Sequence, residues 1–174
     1  MVWGPDLKEW DTDGRDGAFG PVARGMRHPA RAPAMRALER AAGGLSLFAG
    51  LVHADLGPAH FRVWWGYGLF FAVAALAQLL LGLALLLDAL DPARLGPSLP
   101  RLKRAMYASG IVGNALLIGL YVLTRTWGIP LFGPAAGGIE RVAPLDVATE
   151  IAQAGTIALL ATLLARTPKG YAAR

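Results

Sequence analysis

Four apolar stretches organise the chain, at about 37–56, 61–90, 102–124 and 145–165. A helix that crosses a bilayer needs about 20 mostly apolar residues, and each stretch reaches that length. The second is the purest, because FFAVAALAQLLLGLALLL carries no charge. The first is the shortest: Glu39 and Arg40 leave a lipid-compatible run of 16 residues, Ala41 to Leu56. As a helix that run rises about 24 Å, which crosses only where Arg40 snorkels or the bilayer thins. In HADLGPAHF, Gly57 suits a left-handed C-cap and Pro58 a first helical turn, which predicts a tight antiparallel hairpin there. WGIPLFGPAAGGIERVAP is rich in glycine and proline and predicts a loop over the bundle's outer face.

Each stretch also carries one polar stripe at helical spacing. The first aligns Ala42, Ser46, Ala49 and His53, small residues that permit close helix approach and lead to one imidazole. The second aligns His60, Tyr67, Phe71 and Gln78. The third aligns Tyr107, Gly110, Asn114, Tyr121 and Arg125, and the fourth Asp146, Glu150 and Gln153. In lipid such stripes turn inward. The pattern predicts an all-α, four-helix transmembrane bundle with a polar seam.

Composition agrees. Hydrophobic residues make up 55% of the chain and charged residues 17%, against about a quarter charged in soluble domains. A soluble enzyme is therefore a poor fit. The absence of cysteine excludes disulfides, iron–sulfur clusters, covalently attached haem and thiol catalysis. The net charge of +5 resolves by loop parity: 14 of the 17 basic residues flank one side, leaving Arg62, Arg125 and Arg141 on the other. Basic loops stay in the cytoplasm, so both termini are expected there and the chain in the inner (plasma) membrane, with no nucleic-acid partner. Trp64, Trp65, Tyr67 and Trp127 are placed as an outer aromatic belt. The first apolar run starts some 40 residues in, unlike a secretory signal. Residues 1–36 lack periodicity and read as an extended or partner-ordered tail with Trp3 and Trp10 as docking anchors. Residues 167–174 form a second cytoplasmic tail.

His53, His60, Arg125, Asp146 and Glu150 converge on the outer end. An ionisable residue within a span costs a few kcal/mol unless paired, and marks a functional site by default. Three readings fit the cluster. One is a structural clasp, with Arg125 and Arg62 as counter-ions and Asp146 favoured at a helix N-terminus. A second is a metal site using His53, His60 and Glu150, with Asp146 as ligand or support. Imidazole with carboxylate suits zinc, copper(II) or non-haem iron, although HADLGPAH is not a standard ligand spacing and Arg125 opposes a cation. A third is a pocket for haem, a pigment or a quinone, built from a histidine and the rings of Trp64, Trp65 and Tyr67. Deeper in, Gln78, Asn114 and Gln153 suit interhelical hydrogen bonds. Only Asp88 lies below them, so no ionisable path continues to the cytoplasmic side and a transporter is disfavoured. Phosphate-loop, dinucleotide and HExxH motifs are absent.

HADLGPAHFRVWWGYGLFFAVAALAQ, GIVGNALLIGLYVLTRTWGIP and APLDVATEIAQ resemble a group of small bacterial four-span membrane proteins. The resemblance covers about 41–165 and rests on His53, His60, Phe61, Trp65, Gly68, Phe70, Phe71, Gln78, Gly113, Asn114, Arg125, Thr126, Pro130, Asp146 and Glu150. It implies the four-span fold and no particular activity. The leading expectation is a non-catalytic accessory or binding subunit that meets other membrane subunits in a larger complex, respiratory, photosynthetic or similar. The alternative is a metal- or redox-cofactor-binding membrane protein, and a third is a small transporter or assembly factor.

Overall fold

The computed structural model describes residues 33–89, 99–129 and 132–167. The tail with Trp3 and Trp10, the segment with Arg94, Pro130 and the last seven residues lie outside these, and with them the docking expectation for the tail. The described residues fold into four helices: α1 (Pro33–Val63), α2 (Trp65–Leu86), α3 (Leu99–Thr126) and α4 (Pro144–Arg166). Of these, α2, α3 and α4 are long and apolar enough to cross a membrane. At 31 residues α1 is the longest, but the exposed Arg36, Arg40 and Asp55 dilute its apolar surface.

The hairpin turn is not at Gly57–Pro58. Helix α1 runs through both residues and ends at Val63, so His60 and Phe61 belong to α1, and α2 begins at Trp65. A proline within a helix forfeits one backbone bond, which a helical bundle tolerates where neighbours re-satisfy the backbone. The connection is one extended residue, Trp64, at φ −166 and ψ 136. Its sharpness depends on Gly66 and Gly68. A Cβ on Gly66 would lie 2.2 Å from the Trp64 ring, and one on Gly68 would lie 2.0 Å from the Phe61 ring.

Gly57 serves packing instead. Together with Gly43 and Gly50 it forms a stripe at seven-residue spacing, which lets α2 approach through Phe71, Leu79 and Leu86. α1 lies between α2 and α4, α3 packs on α4, and α2 and α3 meet at few points. Those points sit at mid-height: Leu81 reaches Gly110, and Gln78 Nε2 donates to Asn114 Oδ1 at 3.3 Å. Beyond Asn114 no residue of α3 is buried. The compact core, Ala42, Leu85, Tyr107, Leu160 and Leu163, therefore fills the half of the bundle away from the Trp64 turn. On the surface of α2, Leu69, Val73, Leu76, Leu80 and Leu83 form an exposed apolar stripe, continued by Leu87 just past its end.

The far half also carries charge that the sequence pattern placed elsewhere. Glu39 is only 4% exposed and Lys103 5%. Tyr107 donates its hydroxyl to Glu39, while Lys103 Nζ lies 3.8 Å from Glu39 and 3.6 Å from Asp88. Glu39 thus faces inward and does not interrupt the exposed surface of α1. Below Gln78 and Asn114 the bundle thus holds the buried Glu39, Lys103 and Tyr107, with Asp88 at the exposed edge. Arg104 donates to the carbonyls of Leu164 and Thr167, capping the end of α4.

Candidate functional site

The end of the bundle at the Trp64 turn is hollow. Above Asn114, where α3 buries no residue, the four helices line a partly open cavity of about 440 Å³. His53 and His60 line it from α1, Tyr67 and Phe71 from α2, Tyr121 and Arg125 from α3, and Asp146 and Glu150 from α4. The convergence expected from the helical stripes is therefore present, with both histidines arriving on α1, seven residues apart. Residues 132–143 roof the cavity. Tyr67 hangs the roof: its hydroxyl donates to Phe132 O at 2.7 Å and accepts from Ala135 N at 3.3 Å. Phe132 packs edge-on against Trp64, with centroids 4.9 Å apart. The roof turns at Gly133, whose φ of +77 suits glycine and whose missing side chain leaves room for the Tyr67 hydroxyl.

Each imidazole is oriented by its own helix. His53 Nδ1 lies 2.8 Å from Ala49 O, and His60 Nδ1 lies 2.9 Å from Leu56 O. A carbonyl only accepts, so Nδ1 carries the proton in both and Nε2 of a neutral ring keeps its lone pair. The His60 ring stacks on Phe71 with centroids 3.9 Å apart.

Arg125 is heavily committed. Its Nη2 donates to Asp146 Oδ2 at 2.9 Å, and its Nη1 donates to Thr124 Oγ1 and to Glu140. The guanidinium also lies over the Tyr121 ring, 4.7 Å from its centroid. Asp146 in turn accepts from Ala143 N at 3.0 Å, closing the first turn of α4. This much of the clasp reading is present, and it includes Glu140, which sequence reasoning missed. Its only prior signal was its place in the roof segment, since loop residues carry no helical period. Glu150, one turn deeper, is left out of the clasp, and its Oε2 is sheltered without a hydrogen-bond partner.

The other candidates divide. Arg62 is exposed and does not line the cavity. Trp65 is 63% exposed and Trp127 81%, both turned outward. Gln78 bonds to Asn114, whose Nδ2 donates to Gly110 O, and Ser46 Oγ donates to Gln78 O at 2.8 Å. Gln153 is fully buried, with both side-chain polar atoms unpaired. Among the described residues, no three histidines and carboxylates gather closely enough to hold a metal ion. Arg125 stands between the carboxylates instead.

No protein-family model, curated protein or solved structure matches the chain.

Proposed function

We propose that this chain is a four-span membrane protein, with both termini cytoplasmic, that binds a small organic molecule without transforming it. The observation that carries the binding reading is the roofed cavity, which lies within the roughly 300–1,000 Å³ of small-molecule sites. Its walls are mostly apolar and aromatic, and its few polar groups are set by hydrogen bonds before any ligand arrives. The catalytic pairing of a nucleophile with a base is not among those bonds.

The fourth span is supported by packing. α1 lies along α2 from Gly43 to Gly57 and joins it through one residue. A bilayer crossed by α2 is then crossed by α1 too, with Glu39 hidden inside the bundle. Orientation follows from the basic flanks. A cysteine at Ala136 is expected to react with an impermeant maleimide in intact cells, and one at Ala89 only after permeabilisation; the reverse overturns the orientation.

Binding is tested with N-phenyl-1-naphthylamine, a neutral fluorophore, on protein in lipid nanodiscs. Saturable one-to-one enhancement is expected, and filling the cavity through Leu120→Trp abolishes it. Failure of the wild-type protein to give a saturable signal overturns the binding reading.

A place within a larger membrane assembly is a second reading, favoured by α3. Ser109 and Gly113 face outward one turn apart, with no other atom within 4 Å of a Cβ at Gly113. Small residues so spaced admit a further helix. Larger membrane proteins that copurify with the wild-type chain, and are lost in Gly113→Leu, support it; recovery of the wild-type chain alone under mild extraction overturns it.

A further inference from the structure

We infer that the ligand of this cavity is a small lipophilic amine in its protonated form, an inference that rests on the binding reading above. It starts from an inventory of polar groups. Three carboxylates line the cavity, on Glu140, Asp146 and Glu150, against one guanidinium, Arg125. Arg125 already pairs with two of the three. The third, Glu150, keeps an oxygen that is out of reach of solvent and has no partner. An ionised carboxylate sheltered in that way is costly until a positive charge stands beside it.

The hydrogen-bonding character points the same way. His60 spends its Nδ1 proton on Leu56 O, so its neutral ring offers an acceptor at Nε2; His53, bonded likewise to Ala49 O, also meets the Gln78 side chain. Glu150 offers another. Among the described residues that line the cavity, the sheltered donor left unspent is Arg125 Nε, which belongs to a guanidinium held between two carboxylates. A ligand that donates hydrogen bonds and carries positive charge meets this set. A carboxylate or a quinone carbonyl, which only accepts, does not.

The rest of the ligand is set by the walls. Tyr67, Phe70, Phe71 and Phe132 supply aromatic surface, which attracts cations as well as apolar groups. Arg125 over Tyr121 shows that attraction already in use within the cavity. The side of the cavity between α2 and α3 is where the helices hold together least, so an apolar ligand reaches it through the hydrocarbon layer.

The test uses three displacers that share one ring system and differ in the head group: 2-(1-naphthyl)ethylammonium, 2-(1-naphthyl)ethanol and 1-naphthylacetate. Each competes against N-phenyl-1-naphthylamine on the full chain in nanodiscs. The ammonium compound is expected to displace the fluorophore at a concentration at least tenfold lower than the alcohol, and the carboxylate at the highest. Glu150→Gln removes the preference for the ammonium compound while the alcohol competes as before, which also shows that the variant is folded. Equal or better displacement by the alcohol or carboxylate overturns the inference and leaves the binding reading standing. So does a preference that survives Glu150→Gln, or a bound fluorophore that none of the three displaces. A wild-type protein that binds no fluorophore overturns both readings.

Discussion

Replacing Gly57 and Gly68 by alanine, one at a time, tests where the first hairpin turns. At Gly68 the new Cβ would lie 2.0 Å from Phe61 Cγ, far inside ordinary contact at 3.4–4 Å. The Phe61 ring would have to move by more than an ångström, or the last turn of α1 would have to lift from α2. Such overpacking costs about 1–3 kcal/mol, offset by up to about 1 kcal/mol for removing a helical glycine. The expected net loss is about 1–2 kcal/mol. At Gly57 the nearest atom to the new Cβ is Phe71 Cβ at 3.8 Å, an ordinary contact. The helix-propensity gain then stands nearly unopposed, and Gly57→Ala is expected to be neutral or stabilising by up to about 1 kcal/mol. The two substitutions thus differ in sign. Unfolding of the purified protein in a rising fraction of sodium dodecyl sulfate, followed by tryptophan fluorescence, gives both values. If Gly57→Ala proves the more damaging, the chain turns at Gly57–Pro58 and the continuous α1 is wrong.

Other expectations can be checked in the same preparations. Tyr67→Phe removes the hydroxyl that holds Phe132 and Ala135, about 1 kcal/mol per bond; protease cleavage within 132–143 should quicken, and an unchanged rate would detach Tyr67 from the roof. Asp146→Asn should destabilise by about 1–3 kcal/mol, because Asp146 and Arg125 are both largely sheltered. Glu140→Gln should cost under about 1 kcal/mol, since its side chain is 53% exposed; a reversed order in the unfolding assay would contradict this division of the clasp. At the other end, Glu39→Leu alone leaves Lys103 sheltered with Asp88 as its ion-pair partner among the described residues. Adding Lys103→Leu should recover much of that loss, because removing both partners of a buried pair is milder than removing one; a double variant as unstable as the sum of the singles would refute it.

What was legible in the sequence follows from periodicity. The stripe Ala42, Ser46, Ala49 and His53 is buried at every position, because a 3.6-residue repeat leaves one inward face. The same geometry brought Arg125, Asp146 and Glu150 to one cavity. What was not legible depended on partners distant along the chain. Gly57–Pro58 carries ordinary turn chemistry, and it takes packing across the turn, Phe61 over Gly68 and Trp64 over Gly66, to set it seven residues later. Glu39 read as a limit to the first apolar run, since nothing local reveals that Lys103 and Tyr107 wait across the bundle. Glu140 reaches Arg125 from an irregular segment, where no spacing rule applies.

The single-residue link at Trp64 bears on how the chain enters a membrane. On the proposed four-span reading, so short a connector makes α1 and α2 insert as a pair, their transfer free energies pooled. α2 holds the largest apolar surplus of the candidate spans, at mean hydropathy 2.5, and that surplus offsets the charges on α1. α3 and α4 form a second pair that meets the first chiefly along α1 and α4. The protein is therefore divisible into two helical hairpins, and separately expressed halves cut between residues 89 and 99 should reassemble.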